Sequence, residues 1–236
     1  MTSAVPAQVQ AFRVAFRERE VGPRYSGWGH FAFTTSVALA AVFLAVSRVR
    51  APTLLEALVV PASFLFANLV EYLGHRGPMH HRTRGLTLLF ERHTRQHHQF
   101  FTRDAMSFES SRDFKMVLFP PVLVVFFLGG IAVPIAGLLF WIASANAAWL
   151  FVAVAMGYFL TYEWLHFAYH TEPERGVGRL AVVRALRRHH ARHHDKALMG
   201  HYNFNITFPI ADALFGTTWR GTPDQRAPSP AAPGED

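Results

Sequence analysis

Residues 116–162 read MVLFPPVLVVFFLGGIAVPIAGLLFWIASANAAWLFVAVAMGYFLTY, 47 positions without one charged side chain. The hydrocarbon core of a bilayer is about 30 Å thick, a distance crossed by about 20 helical residues. A single helix of 47 residues would overshoot it, and Gly129, Gly130 and Pro134 offer a break. The stretch therefore predicts two transmembrane helices, 116–133 and 136–162, joined by a short turn. A soluble core does not call for an apolar run of this length.

Working outward, Phe31–Ser47 also carries no charge, is closed by Arg48 and Arg50, and is extended by Tyr25 and Trp28 as interfacial aromatics. Ala51–Val70 is apolar apart from Glu56, which lies one turn inside and so near the headgroups; Pro52 suits a first turn and Pro61 predicts a kink. The fold class that follows is an all-α integral membrane protein. Four transmembrane helices form two hairpins, and a cytosolic helical cap carries the histidines described below. Residues 25–217 make up this membrane-embedded domain. Each hairpin returns the chain to the side it left, so the N-terminus, residues 71–115 and residues 163–236 share one face. Of the 23 Lys and Arg, 21 lie on that face. The positive-inside rule makes it cytoplasmic. The expected location is a bacterial cytoplasmic membrane, with both termini on the cytoplasmic side.

The ends read differently. No apolar run precedes a cleavage site in residues 1–24. Val9, Phe12 and Phe16 share a helix face opposite Arg13 and Arg17, which fits an interfacial helix lying on the membrane, the alternative being a frayed polar tail. Residues 218–236 are Pro/Ala-rich without an apolar period and read as a disordered tail. The net charge of +7 is interleaved with apolar spans, so anionic headgroups fit it better than nucleic acid. Cysteine is absent, which excludes disulfides, Cys-based zinc sites and Cys-held iron–sulfur clusters.

Histidine carries the chemistry. Thirteen of the 14 histidines lie between His75 and His201. EYLGHRGPMHH gives His75 and His80 across a Gly-Pro break, and RHTRQHH gives His93, His97 and His98. YEWLHFAYH places His166 and His170 at i, i+4, and LRRHHARHH gives His190, His193 and His194. On an α-helix the last three fan over about 100°, and His93, His97 and His98 over about 140°. Neutral imidazole suits iron, zinc and copper. Ten imidazoles exceed the about four to six ligands of one metal, so the pattern predicts two metals sharing them. His30, His81 and His189 fall outside the pattern. His201, Glu163 and Asp212 are candidates for an extra ligand or for a group that orients one.

These boxes, in this order between membrane hairpins, resemble the fatty acid hydroxylase/sterol desaturase superfamily over residues 71–217. His75 and His80 match its H-x4-H box, and His93, His97 and His98 its second box with one residue more than the common spacing. His166 and His170 match its Tyr-acidic-x-x-His-Phe-x-x-His element, and His190, His193 and His194 the last H-x2-H-H box. Asp212, Phe215, Gly216 and Thr217 match the terminal motif, in which Ala211 stands where the family has Trp. The resemblance implies a membrane-bound diiron oxygenase that uses O2 as co-substrate to hydroxylate an unactivated C–H bond of a membrane lipid, a fatty acyl chain or sphingolipid-like molecule. Iron is the implied metal, with zinc able to replace it in purified protein. A carotenoid or sterol hydroxylase or desaturase shares the pattern, and a non-enzymatic metal transporter or storage protein is the rival of another class. A transporter would carry ionisable residues along its spans, which here are almost clean. Only about 70 residues precede the first box and they already contain two spans, so a separate electron donor is expected, a ferredoxin or a cytochrome b5-like protein with its reductase. Arg175, Arg179, Arg184, Arg187 and Arg188 form the candidate docking patch, with headgroup binding as the alternative, and Phe64, Phe66, Trp164 and Phe167 the candidate lipid route, with core packing as the alternative.

Overall fold

The computed structural model describes residues 4–221. The predicted disordered tail, 218–236, lies outside the described residues from position 222 onward. Among the described residues the chain is helical and forms no β-strand. Helix α1 (Ala7–Glu20) precedes the first membrane helix, α2 (Gly27–Arg48). The second membrane helix, α3 (Leu54–Met79), is followed by α4 (residues 87–100). The third and fourth are α5 (Pro121–Ile142) and α6 (Ala145–Tyr169). Two helices then follow, α7 (Ala181–His193) and the short α8 (Ile210–Leu214). Helices α2, α3, α5 and α6 are each long and apolar enough to cross a membrane.

Small residues let these four approach closely. Ala38 and Ala45 of α2, Ala132 and Ala136 of α5 and Ala148 of α6 are buried in one cluster with Val124, Phe151, Val152, Met156, Phe159 and Leu160. In lipid, where apolar contact alone brings helices together poorly, such close backbone approach supplies dispersion. The outward face is the reverse of a soluble one: Phe43 is 77% exposed, Leu54 91% and Trp141 88%. A soluble chain does not display so large an apolar belt.

The turns at the far end from the histidines are tied to each other. Thr53 and Glu56 form a capping box at the start of α3. Glu56 also accepts from Ser144 Oγ at 2.6 Å, while Asn146 exchanges bonds of 2.9 Å with the backbone N–H and carbonyl of Arg50. The carboxylate predicted to face headgroups thus joins the two hairpins.

Two predicted boundaries move. The turn of the second hairpin is at Ala143–Ser144, where Ser144 Oγ caps Ala147 N–H, and not at Gly129–Pro134. Residues Phe127–Ala132 instead form a π-helical turn. Pro134 would clash with the carbonyl four residues back, at Gly130; the wider π turn absorbs that clash, and the helix continues. Pro61 produces its irregularity three residues earlier, as a break at Leu58 between Leu54–Ala57 and Val59–Gly74. Helix α1 also differs from the expectation. Phe16 is buried with Val21, Phe100, Phe101, Met116 and Val117, and Arg13 is fully buried on what was to be the polar face. The helix docks on the chain itself through both faces, because loop 100–113 offers Arg13 and Arg17 carbonyl and carboxylate partners.

At Gly27 the start of α2 presses on the 111–114 turn: a Cβ there would overlap the Ser111 carbonyl and crowd the Phe114 ring. Gly27→Ala should destabilise the protein by about 1–3 kcal/mol through forced backbone movement. Gly157→Ala, where nothing lies within 4 Å of the added carbon, should not. Thermal unfolding in detergent compares the two, and equal midpoints would sink the close-packing argument.

Candidate metal centre

The boxes sit on helical turns of two kinds. Residues His75–Met79 at the end of α3 and Glu91–His97 within α4 are π-helical. A π turn bonds i to i+5, so it brings residues five apart onto one side, whereas an α-helix sets them about 140° apart. Five is the spacing of both His75/His80 and His93/His98. Box four lies at the end of the regular α-helix α7, where residues four apart align, as His190 and His194 do.

The side chains meet in two buried groups. His75, His80, His93, His98 and His193 bring their ligand nitrogens within 4.8 Å of one another, and so do His97, His170, His190 and His194. His166 Nε2 lies 3.3 Å from both His97 Nε2 and His170 Nε2, adding a fifth nitrogen to the second group. Boxes two and four are each divided between groups: His93 and His98 face the first and His97 the second, while His190 and His194 face the second and His193 the first.

Backbone carbonyls aim the rings. His97 Nδ1–H donates to Met116 O at 2.9 Å, His194 Nδ1–H to Phe101 O at 2.7 Å, His170 Nδ1–H to Met106 O at 2.7 Å and His193 Nδ1–H to Tyr202 O at 3.0 Å. His75 Nδ1–H donates to Phe204 O. His80 Nδ1 is 3.2 Å from Thr94 Oγ1, whose own hydrogen goes to Met79 O, so it too is a donor. A carbonyl only accepts, so in each ring the proton is on Nδ1 and Nε2 carries a lone pair.

Those lone pairs point at one another. His97 and His194 Nε2 are 3.2 Å apart, and His80 and His193 Nε2 3.0 Å, with no hydrogen left for either pair to share. Adding protons is not the remedy, because burial holds the rings neutral. It pushes His97 down to about 4 and lowers His93, His98, His170, His190, His193 and His194 well below the usual imidazole range, and neighbouring imidazoles push the same way. A metal about 2.1 Å from each nitrogen, with ligands at right angles, requires N···N separations of about 3.0 Å. The observed donor set therefore fits a divalent metal in each group, and the carbonyl contacts are those that orient metal-bound imidazoles.

The remaining candidates stand elsewhere. His201 is exposed and belongs to neither group. Glu163 is buried on α6 but accepts from Phe119 N–H at 3.2 Å, and its Oε2 has no partner. Asp212 is buried and accepts from Phe204 N–H and Asn205 N–H at 3.0 and 2.8 Å and from Thr217 Oγ1 at 2.6 Å. It thereby fixes the turn whose Phe204 carbonyl holds His75. His189 Nε2 is 3.4 Å from Asp212 Oδ2 without hydrogen-bonding geometry, and His30 is a buried structural histidine between Tyr25 OH and Phe119 O. Phe64 packs on Tyr158 and Phe208, and Phe167 on Trp28, Phe31, Phe108 and Phe114, and both are half-buried. The sequence reading missed the carbonyls at Phe101, Met106, Met116, Tyr202 and Phe204, since any residue type supplies one. A clue lay in Asn203, which adopts φ 60°, a conformation Asn tolerates.

A pH dependence follows for metal-free protein. The folded rings titrate below the unfolded value near 6.5, as for His97 at about 4. The unfolded chain therefore takes up more protons between those values, and stability falls as pH is lowered through that window. The thermal midpoint of chelator-treated protein should be flat above pH 7 and drop steadily toward pH 5; a midpoint unchanged over that range would contradict the buried neutral rings.

The sequence pattern of the fatty acid hydroxylase family matches residues 60–217, about two thirds of the chain, and so covers all ten grouped histidines and Asp212. No curated protein and no solved structure matches the chain. Four membrane-length apolar helices, two buried histidine groups that can hold metal and this match together place the chain in the fatty acid hydroxylase family, within the fatty acid hydroxylase/sterol desaturase superfamily.

Proposed function

We propose that this protein hydroxylates an unactivated C–H bond in the acyl chain of a membrane lipid, with O2 as co-substrate and two iron ions held by the ten histidines. The observation that carries the reading is the convergence of neutral Nε2 lone pairs in two groups at one end of an apolar helical bundle. His75, His80, His93, His98 and His193 would hold one metal; His97, His166, His170, His190 and His194 the other. Bound iron supplies the redox chemistry, in which O2 is reduced with electrons from outside the chain, one oxygen atom enters the C–H bond and the other leaves as water.

The chain's own contribution is orientation and exclusion of water. Nδ1–H contacts to backbone carbonyls keep the ligand nitrogens unprotonated and aimed, and burial keeps imidazoles neutral where they must bind a cation. The lipid approaches from the apolar exterior of the bundle, where Phe66 and Trp164 are half exposed. The charged face lies toward the cytoplasm by the positive-inside rule.

Electrons come from a separate acidic carrier. A cavity of about 370 Å³ reaches His98 from the side away from the spans, with Arg95 and Lys196 in its lining. It offers a carrier a surface that includes a grouped histidine, whereas in the patch at Arg175, Arg179, Arg184, Arg187 and Arg188 the Arg187 guanidinium is engaged with Thr171 O and Ser107 Oγ.

Protein purified in detergent from iron-supplemented cells should hold about two metals per chain. His194→Ala should lose one or both and cut activity by at least about 100-fold, while His189→Ala keeps its metal. In lipids from a deletion strain, hydroxylated acyl chains should disappear and return with the wild-type gene. Unchanged hydroxy-acyl lipids alongside altered carotenoids or sterols would replace the acyl substrate with an isoprenoid one, and metal-free wild-type protein would refute the dimetal reading itself.

A further inference from the structure

We infer that the N-terminal helix α1 is part of the apparatus of the second histidine group, with Arg13 as the positioning residue that fixes the loop from which this group hangs. The inference rests on the dimetal reading above. Arg13 lies outside residues 60–217, the part of the chain that matches the family.

Arg13 is completely buried, although it sits on a helix near the chain's N-terminus. Its guanidinium donates from Nε to Phe100 O at 2.9 Å, from Nη2 to Ala105 O at 2.6 Å and from Nη1 to Glu109 Oε1 at 3.0 Å. It also lies over the Phe100 and Phe101 rings, 5.1 and 5.5 Å from their centroids. Burying a charged group is costly unless it is fully bonded, and packing alone does not require it here, since Phe16 already supplies the apolar contact of α1. What the guanidinium grips is the loop itself. One residue after each gripped carbonyl comes a carbonyl that aims a histidine: Phe101 O accepts from His194 Nδ1–H, and Met106 O from His170 Nδ1–H. The planar fork of Arg spans two carbonyls at a fixed separation, which a lysine cannot do.

The gripped carbonyls precede those that aim rings of the second group. His75 and His193 take their carbonyls from Phe204 and Tyr202, in a segment held by Asp212 and remote in sequence from the 100–106 loop. Arg17, one turn on from Arg13, bonds Asp113 and Glu109 and grips no loop carbonyl. The expectation is therefore selective. Losing the fork loosens His170 and His194 and leaves the first group intact, whereas losing the Asp212 carboxylate does the opposite.

The test uses full-length protein in detergent, iron-loaded and then dialysed against a chelator, with metal per chain and hydrogen exchange of residues 98–108 as readouts. Arg13→Lys should weaken retention at the second group by about 10-fold or more, leaving about one metal. Arg17→Gln should retain about as much as wild type. Combined with His75→Ala, Arg13→Lys should strip both metals; combined with His194→Ala, it should remove no more than His194→Ala does alone. Faster exchange in 98–108 should accompany Arg13→Lys and not Arg17→Gln. Wild-type retention in Arg13→Lys, or equal loss from both groups, overturns the inference. If wild-type protein binds no metal, the dimetal reading fails separately, and the exchange data still decide the clamp: unchanged exchange in Arg13→Lys refutes it.

Discussion

The constraint on which this structure depends is that ten imidazoles are packed into two touching groups, and the six whose Nδ1 hydrogens are engaged elsewhere have only lone pairs to turn toward their neighbours. Two imidazoles can share a hydrogen bond only if one offers an N–H where the other offers a lone pair. In the pairs His80–His193 and His97–His194 the Nδ1 hydrogens go to backbone carbonyls or, for His80, to the Thr94 hydroxyl, so lone pair faces lone pair at 3.0–3.2 Å. Protonation would relieve one contact at the cost of burying charge beside other rings. A cation between the nitrogens relieves all of them at once. A metal bound there would add its binding free energy to the folding free energy of this end of the bundle.

How the rings are divided follows from helix geometry. On α7, residues four apart face one group and the residue between them faces the other. In α4 the same division uses residues five apart, because the turn Glu91–His97 is π-helical. The extra residue in box two is therefore matched by extra width in the backbone, and His93 takes its place in a group despite its unusual spacing. Since α4 and α7 each serve both groups, neither group can be assembled without bringing the other's ligands close; the His98 and His194 rings, from different groups, stand 4.3 Å apart.

Apolar content made the fold legible, since uncharged spans and their bounding arginines admit few alternatives. The boundary missed, Gly129–Pro134, shows the limit of that logic. Gly and Pro are breakers in water, but in lipid a broken helix exposes backbone groups that nothing else can bond, so the chain widens to a π turn and delays its break to a residue that can cap, Ser144. The histidines were legible because imidazole is rare and its chemistry specific. Their partners were not, because a carbonyl belongs to every residue. Arg13 was read as solvent-facing from its helical spacing alone, and nothing local reveals that loop 100–106 brings two carbonyls to it. Long-range bonding by a single charged side chain leaves no periodic trace in a sequence.

The two groups are suspended from different parts of the chain. The first takes carbonyls from Tyr202 and Phe204, in a segment that Glu71 and Asn68 of α3 bind from within the bundle: Glu71 accepts from Ile206 N–H and Thr207 N–H, and Asn68 donates to Phe208 O. The second takes carbonyls from Phe101 and Met106, in a loop bound from outside the bundle by α1, and from Met116, in the helical turn Phe114–Val117 before the third span. Carboxylates, which serve as ligands in other metal sites, are spent here on holding backbone: Glu71, Asp212 and Glu109 each secure a segment that aims an imidazole or an arginine that grips one. An all-histidine group brings no negative charge of its own to a cation. Keeping the acids one step away leaves each group's charge to be set by what it binds, while the same acids fix the geometry in which it binds.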